Sequence, residues 1–514
     1  MNNKRKSIQV LKVKQWMEKW GTRNGQPDFP TPPKDFFIAS MSLSELRVLS
    51  GVHTRDLKQR KKTDPNPGYQ RAHQEDRSAS IARYIQYGYP LSTEKNLDVD
   101  DHSNLINPGW LPTAILVNII GEGEGRNRNG CLVNVENDYL VSIEDKDGFA
   151  SLSYPTFDKG RSPFGKNSLE PIEVIDGQHR LFASDDLNGK DEDYEVPVVF
   201  FNSLDPKWQA YLFWVINVEP KKINASLAFD LYPDLRTQDW LEQGEKLRVY
   251  KEHRAQELVE ILWRHNESPW KDRVELHGKR VGGHVSNAAY IRSLTASFVR
   301  RRHEGDKRVG GLFGSMDSGN KERVLPWSRL QQAAFLIFLW QKIHAVVKSS
   351  NAQWAMDCRK NQNQEDMFVS DLDRAFSSEY SLLATDQGVR AVLVVFNALL
   401  IVNYDELALH DWDHKRTPSE LDDSLISDAL SDLHSNKTLE KFIISVSRAL
   451  FDSSLDWRTS GEPHLSKEQK LKQSVFRGSS GYTELQKQAL QAIQESGDHV
   501  IVNAAENTQH RLGW

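Results

Sequence analysis

The chain is poor in cysteine: Cys131 and Cys358 are its two thiols among 514 residues. Two thiols so far apart exclude a disulfide-stapled scaffold and a Cys-rich zinc module, and inert thiols in a reducing compartment fit them. Long apolar runs are lacking too. No segment reaches the roughly 18 residues that a membrane helix requires. The opening "MNNKRKSIQVLKVKQW" has a basic start but lacks the apolar stretch of a secretory signal. A soluble, cytoplasmic protein with no membrane partner is the expectation. An excess of positive charge is missing as well. The 66 Lys and Arg face 71 Asp and Glu, a formal net charge of −5. Any contact with nucleic acid must therefore come from a local basic patch.

What is present is an ordinary globular balance, 38% hydrophobic and 27% charged. The length is large for one core and predicts two or three packed units. "IQVLKVKQW" reads as a short amphipathic element and "PDFPTPPKDF" as extended. "MSLSELRVL" carries Ser-x-x-Glu before an apolar run, so a capping box and a helix are expected from Ser42. "EDRSASIARYIQYG" predicts a helix that Gly88 stops. "LPTAILVNII", "CLVNVENDYLVSIEDKDG" and "YEVPVVFFNSL" read as strands, the second as two strands. "DPKWQAYLFWVINV" predicts a helix capped by Asp205 with Pro206 at its first position. From about residue 240 helical patterns dominate. The fold class is thus α+β, an N-terminal part of strands and helices followed by a largely α-helical part.

One stretch concentrates chemistry. In "EVIDGQHRLFA", Glu173 to Ala183, an apolar run ends in Asp-Gly, and Gln178, His179 and Arg180 follow at the start of a helix. Glycine permits a sharp turn and close approach of a ligand. The N–H groups of a helix start attract an anion. A guanidinium forks onto phosphate oxygens. Gln178 and His179 supply further hydrogen bonds, and Asp176 is placed to hold Mg2+, cap the helix or activate a water. A strand end, a glycine, a helix start and an arginine make a phosphate cradle. An Asp-Gly turn followed by solvated Arg and His accounts for the same letters without a ligand.

"DGQHRLFA" resembles the motif for which the DGQHR-domain family is named, and the core of that family is similar to the ParB/sulfiredoxin superfamily. Gly177, Arg180 and Ala183 keep the glycine, arginine and alanine spacing of the ParB-type nucleotide box. The flanks are similar as well: "YQRAHQEDRSASIARYI" and "LPTAILVNI" upstream, and "VPVVFFNSLDPKWQAYLFWVINVEPKKINASLAFDL" downstream. The resemblance spans roughly 70–235. It implies a mixed-sheet, ParB/sulfiredoxin-like domain over 70–235, preceded by a helical or extended segment over 1–69 and followed by an α-helical domain over 236–514. It further implies nucleotide binding, with ParB-like hydrolysis as the enzymatic form of that reading, in a DNA-modification or phage-defence system. The box lacks the cysteine of sulfiredoxin, so phosphate handling is expected in place of thiol chemistry. Asp176, Gln178, His179 and Arg180 are the candidate catalytic residues. Gly177, Arg180, Arg77, Asn217, Lys221 and Lys222 are the candidate nucleotide contacts, with Mg2+ on Asp176 and a nucleoside triphosphate as cofactors. Arg77 is chosen because the family pattern places an arginine there.

A basic region from Arg264 to Arg308 holds eleven Lys and Arg against five Asp and Glu, with Trp263 and Trp270 interleaved. Lys279, Arg280, Arg292, Arg300, Arg301 and Arg302 are its candidate DNA contacts. A helix in "VSNAAYIRSLTASFV" would present Ser286, Asn287 and Arg292 to a groove. A solvated loop with basic flanks fits the region equally. "FRGSSGYTEL" offers Arg477 and a Gly/Ser loop before a helix from Thr483, an anion site or a plain capped turn. "ALHDWDHKR" offers a His410 and His414 pair that suits a metal if helical. Two alternatives stand beside the nucleotide reading: a non-catalytic DNA-binding regulator of phosphorothioation genes, and a nuclease component on the same core. Partners under these readings are DNA, a nucleotide, proteins of the same operon and a second copy of the chain.

Overall fold

A computed structural model describes residues 4–512 except 19, 21–30, 53–73, 95–98, 129–130, 147–148, 158–162, 166–167, 188–193, 219–223, 236–247, 277–281, 301–308, 315–324, 326, 361–372, 413 and 415–420. The chain divides into two units, Met1–Lys222 and Ile223–Trp514. It is a mixed α/β protein whose second unit is largely helical.

The first unit is built on β1 (Arg5–Lys14), β2 (Asp35–Ser42), α1 (Leu43–Leu49), β3 (Ser50–Gly51), α2 (Glu75–Tyr87), β4 (Ile115–Ile119), β5 (Gly125–Arg128), β6 (Cys131–Asn134), β7 (Ser142–Lys146), β8 (Phe149–Pro155), β9 (Ile172–Asp176), α3 (Gln178–Phe182), β10 (Glu195–Asn202) and α4 (Pro206–Val218). Eight of these strands form one mixed sheet in the order β3-β9-β4-β10-β2-β1-β8-β7. β4 runs parallel to β10 and β3 to β9, and the other neighbours are antiparallel. β5 and β6 pair with each other as a separate hairpin. The two strands expected in "CLVNVENDYLVSIEDKDG" therefore exist, but β6 and β7 have different partners.

Burial follows the residue pattern. β10 alternates, with Val196, Val198 and Phe200 inside. β9 is buried along Ile172–Ile175, as a near-continuous apolar run requires. Leu43, Leu46 and Leu49 of α1, Ala82 and Ile85 of α2 and Leu181 of α3 complete that core with Ile115, Val117 and Val174. Each such aliphatic burial contributes about 1.5–3 kcal/mol.

Three local expectations change. The first 69 residues are not set apart: β1 and β2 lie inside the sheet, with Ile38 opposite both Leu11 and Val199. Lys and Gln interrupt β1 because most of its side chains face outward and only Val10 is buried. The helix at Ser42 forms, but without a capping box. Glu45 instead accepts from Lys6 Nζ at 2.9 Å and from the Tyr154 hydroxyl at 3.0 Å. The division of the chain falls after Lys222, not after residue 235. The Gly88 stop has φ +63°, with its N–H bonded to the Tyr84 carbonyl, and Asp205 caps α4 by accepting from Lys207 N at 2.8 Å.

The second unit holds α5 (Ala225–Asp230), α6 (Arg248–Arg264), β11 (Val274–Glu275), β12 (Val285–Ser286), α7 (Asn287–Thr295), α8 (Arg329–Ser349), α9 (Gln353–Lys360), α10 (Arg374–Ser377), α11 (Asp386–Val402), α12 (Asp423–Ser435), α13 (Lys437–Phe451), α14 (Lys467–Ser474), α15 (Ser479–Gln494) and α16 (His499–Leu512). α8 and α11 are buried nearly all round, which is why their sequences show no polar face. Among the described residues no helix is long and apolar enough to cross a membrane. α15 begins at Ser479, ahead of the Thr483 start expected from sequence, with Gly478 at its cap.

Candidate functional site

The corner at the end of β9 is built as its letters suggest. The strand ends at Asp176, Gly177 takes φ +93°, and α3 starts at Gln178. A Cβ on Gly177 would lie 3.0 Å from Arg180 Nη2 and 3.3 Å from Ile115 Cγ1, so the glycine serves both the left-handed turn and the close approach of Arg180. α3 has only five residues, and a 3-10 turn over Ala183–Asp186 follows it. So short a helix carries little dipole, and attraction for an anion has to come from side chains.

Arg180 does not point away from the chain. Its Nη2 donates to Asp176 Oδ2 at 2.9 Å and its Nη1 to the Thr113 carbonyl at 2.6 Å. The other oxygen of Asp176 accepts from Asn217 Nδ2 at 3.1 Å, and the same amide donates to the Phe213 carbonyl at 3.0 Å. Asn217, expected to touch a nucleotide directly, thus holds the carboxylate, and Arg180 and Asn217 together fix Asp176 from two sides.

Burial pulls the Arg180 pKa below its ordinary value. Asp176 opposes that pull, and the charge of Arg77 adds to it. A guanidinium stays charged regardless, so the direction reports placement: Arg77, exposed on α2, lies within electrostatic reach of Arg180. Arg83, the other arginine of α2, is used otherwise. It donates to the Glu94 carbonyl and lies 5.0 Å from the Tyr87 ring centroid. Gln178 Nε2 is 3.4 Å from His179 Nε2, and Gln178 Oε1 is buried with no partner.

On α4, Trp214 stands one turn before Asn217 on the same helix face, and Tyr211 lies three residues before Trp214, beside it. Both are 49% exposed. Sequence reasoning read "DPKWQAYLFWVINV" as a helix and gave these two rings no role. It also passed over the ion pair of Arg126 with Glu173, 3.0 Å apart and 5% exposed on each side. The signal was there: a carboxylate inside the buried run "IEVID" demands a partner.

Among the described residues no three His, Cys, Asp or Glu side chains form a cluster that could hold a metal ion, and Asp176 is bonded to Arg180 and Asn217. His410 and His414 do not share a helix. His410 sits in a 3-10 turn beside Asp411, and His414 Nδ1 meets Asp432 at 2.7 Å. Cys131 is exposed, whereas burial pushes the Cys358 thiol up to about 12.

The remaining candidates scatter. Lys221, Lys222, Lys279, Arg280, Arg301 and Arg302 lie outside the described residues. Arg292 is exposed on α7 and Arg300 is half-buried. Ser286 caps α7 by accepting from Ala289 N at 3.3 Å, and Asn287 is 1% exposed. Neither is presented to a groove. Trp270 is 1% exposed and belongs to the core, so it offers no face to a base, and Trp263 is packed against the same core. Arg264 is tied to Asp423 and the Leu421 carbonyl. No protein-family model, curated protein or solved structure matches this chain.

Proposed function

We propose that the first unit binds a nucleotide at the 176–180 corner. Arg77 and Arg180 take the phosphates, and Trp214 and Tyr211 offer ring faces to the base. The observation that supports this reading is the half-buried Arg180 guanidinium folded against the left-handed Gly177 turn, with the exposed Arg77 within electrostatic reach of it. Gln178 Oε1, buried without a donor, suits a base amine or a water. Mg2+ arrives with the phosphates, and Asp176 becomes its ligand only when Arg180 swings onto the phosphate. Binding is the part of the reading that the corner supports, since Asp176 as it stands accepts from Arg180 and Asn217.

The biological setting follows from the DGQHR resemblance. In this reading the unit is a ParB/sulfiredoxin-like domain that acts on or regulates DNA in a DNA-modification or phage-defence system. The test is nucleoside triphosphate binding and turnover with and without Mg2+, and with and without DNA, for the wild type and Arg180→Ala. Binding in the wild type that the variant loses supports the reading. Absence of binding, or a variant equal to wild type, defeats it. Turnover in the wild type would add hydrolysis to binding.

A further inference from the structure

Trp110 of the first unit is 74% exposed, although the backbone that carries it is pinned. Asn107 N donates to the Tyr87 carbonyl at 3.0 Å, and the Tyr194 hydroxyl donates to the Gly109 carbonyl at 2.7 Å. A Cβ on Gly109 would fall 1.9 Å from the Tyr84 carbonyl oxygen, so this segment lies directly against α2. The ring is therefore held out in solvent by a fixed support. A ring presented in this way gives up little freedom when a partner covers it.

The segment runs on to Thr113, whose carbonyl accepts from Arg180 at 2.6 Å. Three residues span at most about 11 Å, which bounds the distance from Trp110 to that contact. Arg77 stands seven residues before Tyr84 on α2, two turns away on the same helix face and about 10 Å along its axis. At the other end of the Arg180–Asp176 pair, Asn217 bonds Asp176, and Trp214, 49% exposed, precedes it by one turn. Each of the two segments that grip the pair thus carries an exposed tryptophan three residues ahead of its contact. One nucleotide presents one base and uses one of these rings. A strand presents successive bases, and rings set beside phosphate-binding cations are the means by which single strands are held without sequence preference. A duplex keeps its base faces inside the stack. Charge alone does not draw a strand here, because Glu75 and Asp76 are exposed next to Arg77 in the first turn of α2. Stacking has to supply most of the affinity.

We propose that the 176–180 corner takes single-stranded nucleic acid, an extension that rests on the nucleotide reading of the same corner. Arg77 and Arg180 meet the phosphate of one nucleotide, Trp214 its base and Trp110 the base of a neighbour. The experiment uses the full chain as wild type, Trp110→Ala and Arg77→Ala. Binding of a short fluorescein-labelled oligothymidylate is followed by fluorescence anisotropy, and binding of a nucleoside triphosphate by calorimetry. The expected result is a wild type that binds the single strand and a Trp110→Ala variant that binds it about tenfold more weakly, with triphosphate affinity and melting temperature unchanged. Arg77→Ala should weaken both ligands. Triphosphate binding without strand binding overturns the strand site and leaves the nucleotide reading standing. Strand binding unchanged in Trp110→Ala overturns it as well. So does equal affinity for the same oligonucleotide annealed to its complement, which would mean phosphate contacts without stacking. Binding of neither ligand defeats both readings.

Discussion

The guanidinium of Arg180 meets the carboxylate of Asp176 at 2.9 Å across a left-handed glycine, and Asn217 closes the far side of the same carboxylate. The corner is thus a preassembled triad in which the acid restrains the arginine. Asp176→Asn removes the restraint without changing shape. Stability should fall by about 1–3 kcal/mol, the scale of a lost hydrogen bond to a charged group. Nucleotide affinity without Mg2+ should rise, because Arg180 is released and a repelling charge is gone. Chemical denaturation and a binding titration check both signs. Weaker binding that appears only with Mg2+ would instead make Asp176 a metal ligand.

Gly177→Ala places a Cβ 3.0 Å from Arg180 Nη2 on a backbone at φ +93°. An L-residue there costs about 1–2 kcal/mol, and the guanidinium has to retreat. A lower denaturation midpoint together with weaker nucleotide binding is expected. An unshifted midpoint would contradict the turn described here.

Arg126 and Glu173 are buried as a pair. Removing one partner of such a pair strands the other, at about 3–5 kcal/mol, whereas replacing both by apolar residues is close to neutral. Glu173→Leu should therefore destabilise strongly, and the double variant R126M/E173L should regain most of the loss. Glu124, 4.0 Å from Arg126, tempers the single variant. Urea unfolding of the wild type, Arg126→Met, Glu173→Leu and the double variant gives the coupling directly.

Glu440 of α13 accepts from Lys342 at 2.6 Å and Lys437 at 2.9 Å. These bonds hold its pKa down from an ordinary value of 4.5 to about 2. A depressed acid stabilises the fold above its ordinary pKa and loses that contribution as pH falls toward the folded value. The melting temperature should thus drop between pH 4.5 and about 2, less steeply in Glu440→Gln. Parallel curves for the two proteins would exclude Glu440 as a source of the slope.

Much of the 176–180 corner was legible in the sequence, because a buried strand, an Asp-Gly turn and a short polar run are local features. The Gly88 stop and the Asp205 cap are local in the same sense. What escaped depends on distant partners. Asn217 bonds a carboxylate 41 residues earlier, and no spacing rule announces that. Glu45 exchanges its capping role for Lys6 and Tyr154, which arrive from other strands. β1 hides because its outward side chains are polar. Trp270 sits in a basic stretch yet is core, since β11, α7 and α8 enclose it in space and not in sequence.

The most direct measurement is an equilibrium titration of a nucleoside triphosphate into the wild type and Arg77→Ala by calorimetry. Arg77 is exposed, so its replacement is expected to leave the fold intact. One charge-assisted phosphate contact, about 1.5–3 kcal/mol, predicts binding in the wild type that weakens roughly tenfold or more in the variant, at equal thermal stability. Equal affinities in the two proteins, or no binding in the wild type, would contradict the nucleotide reading of the corner.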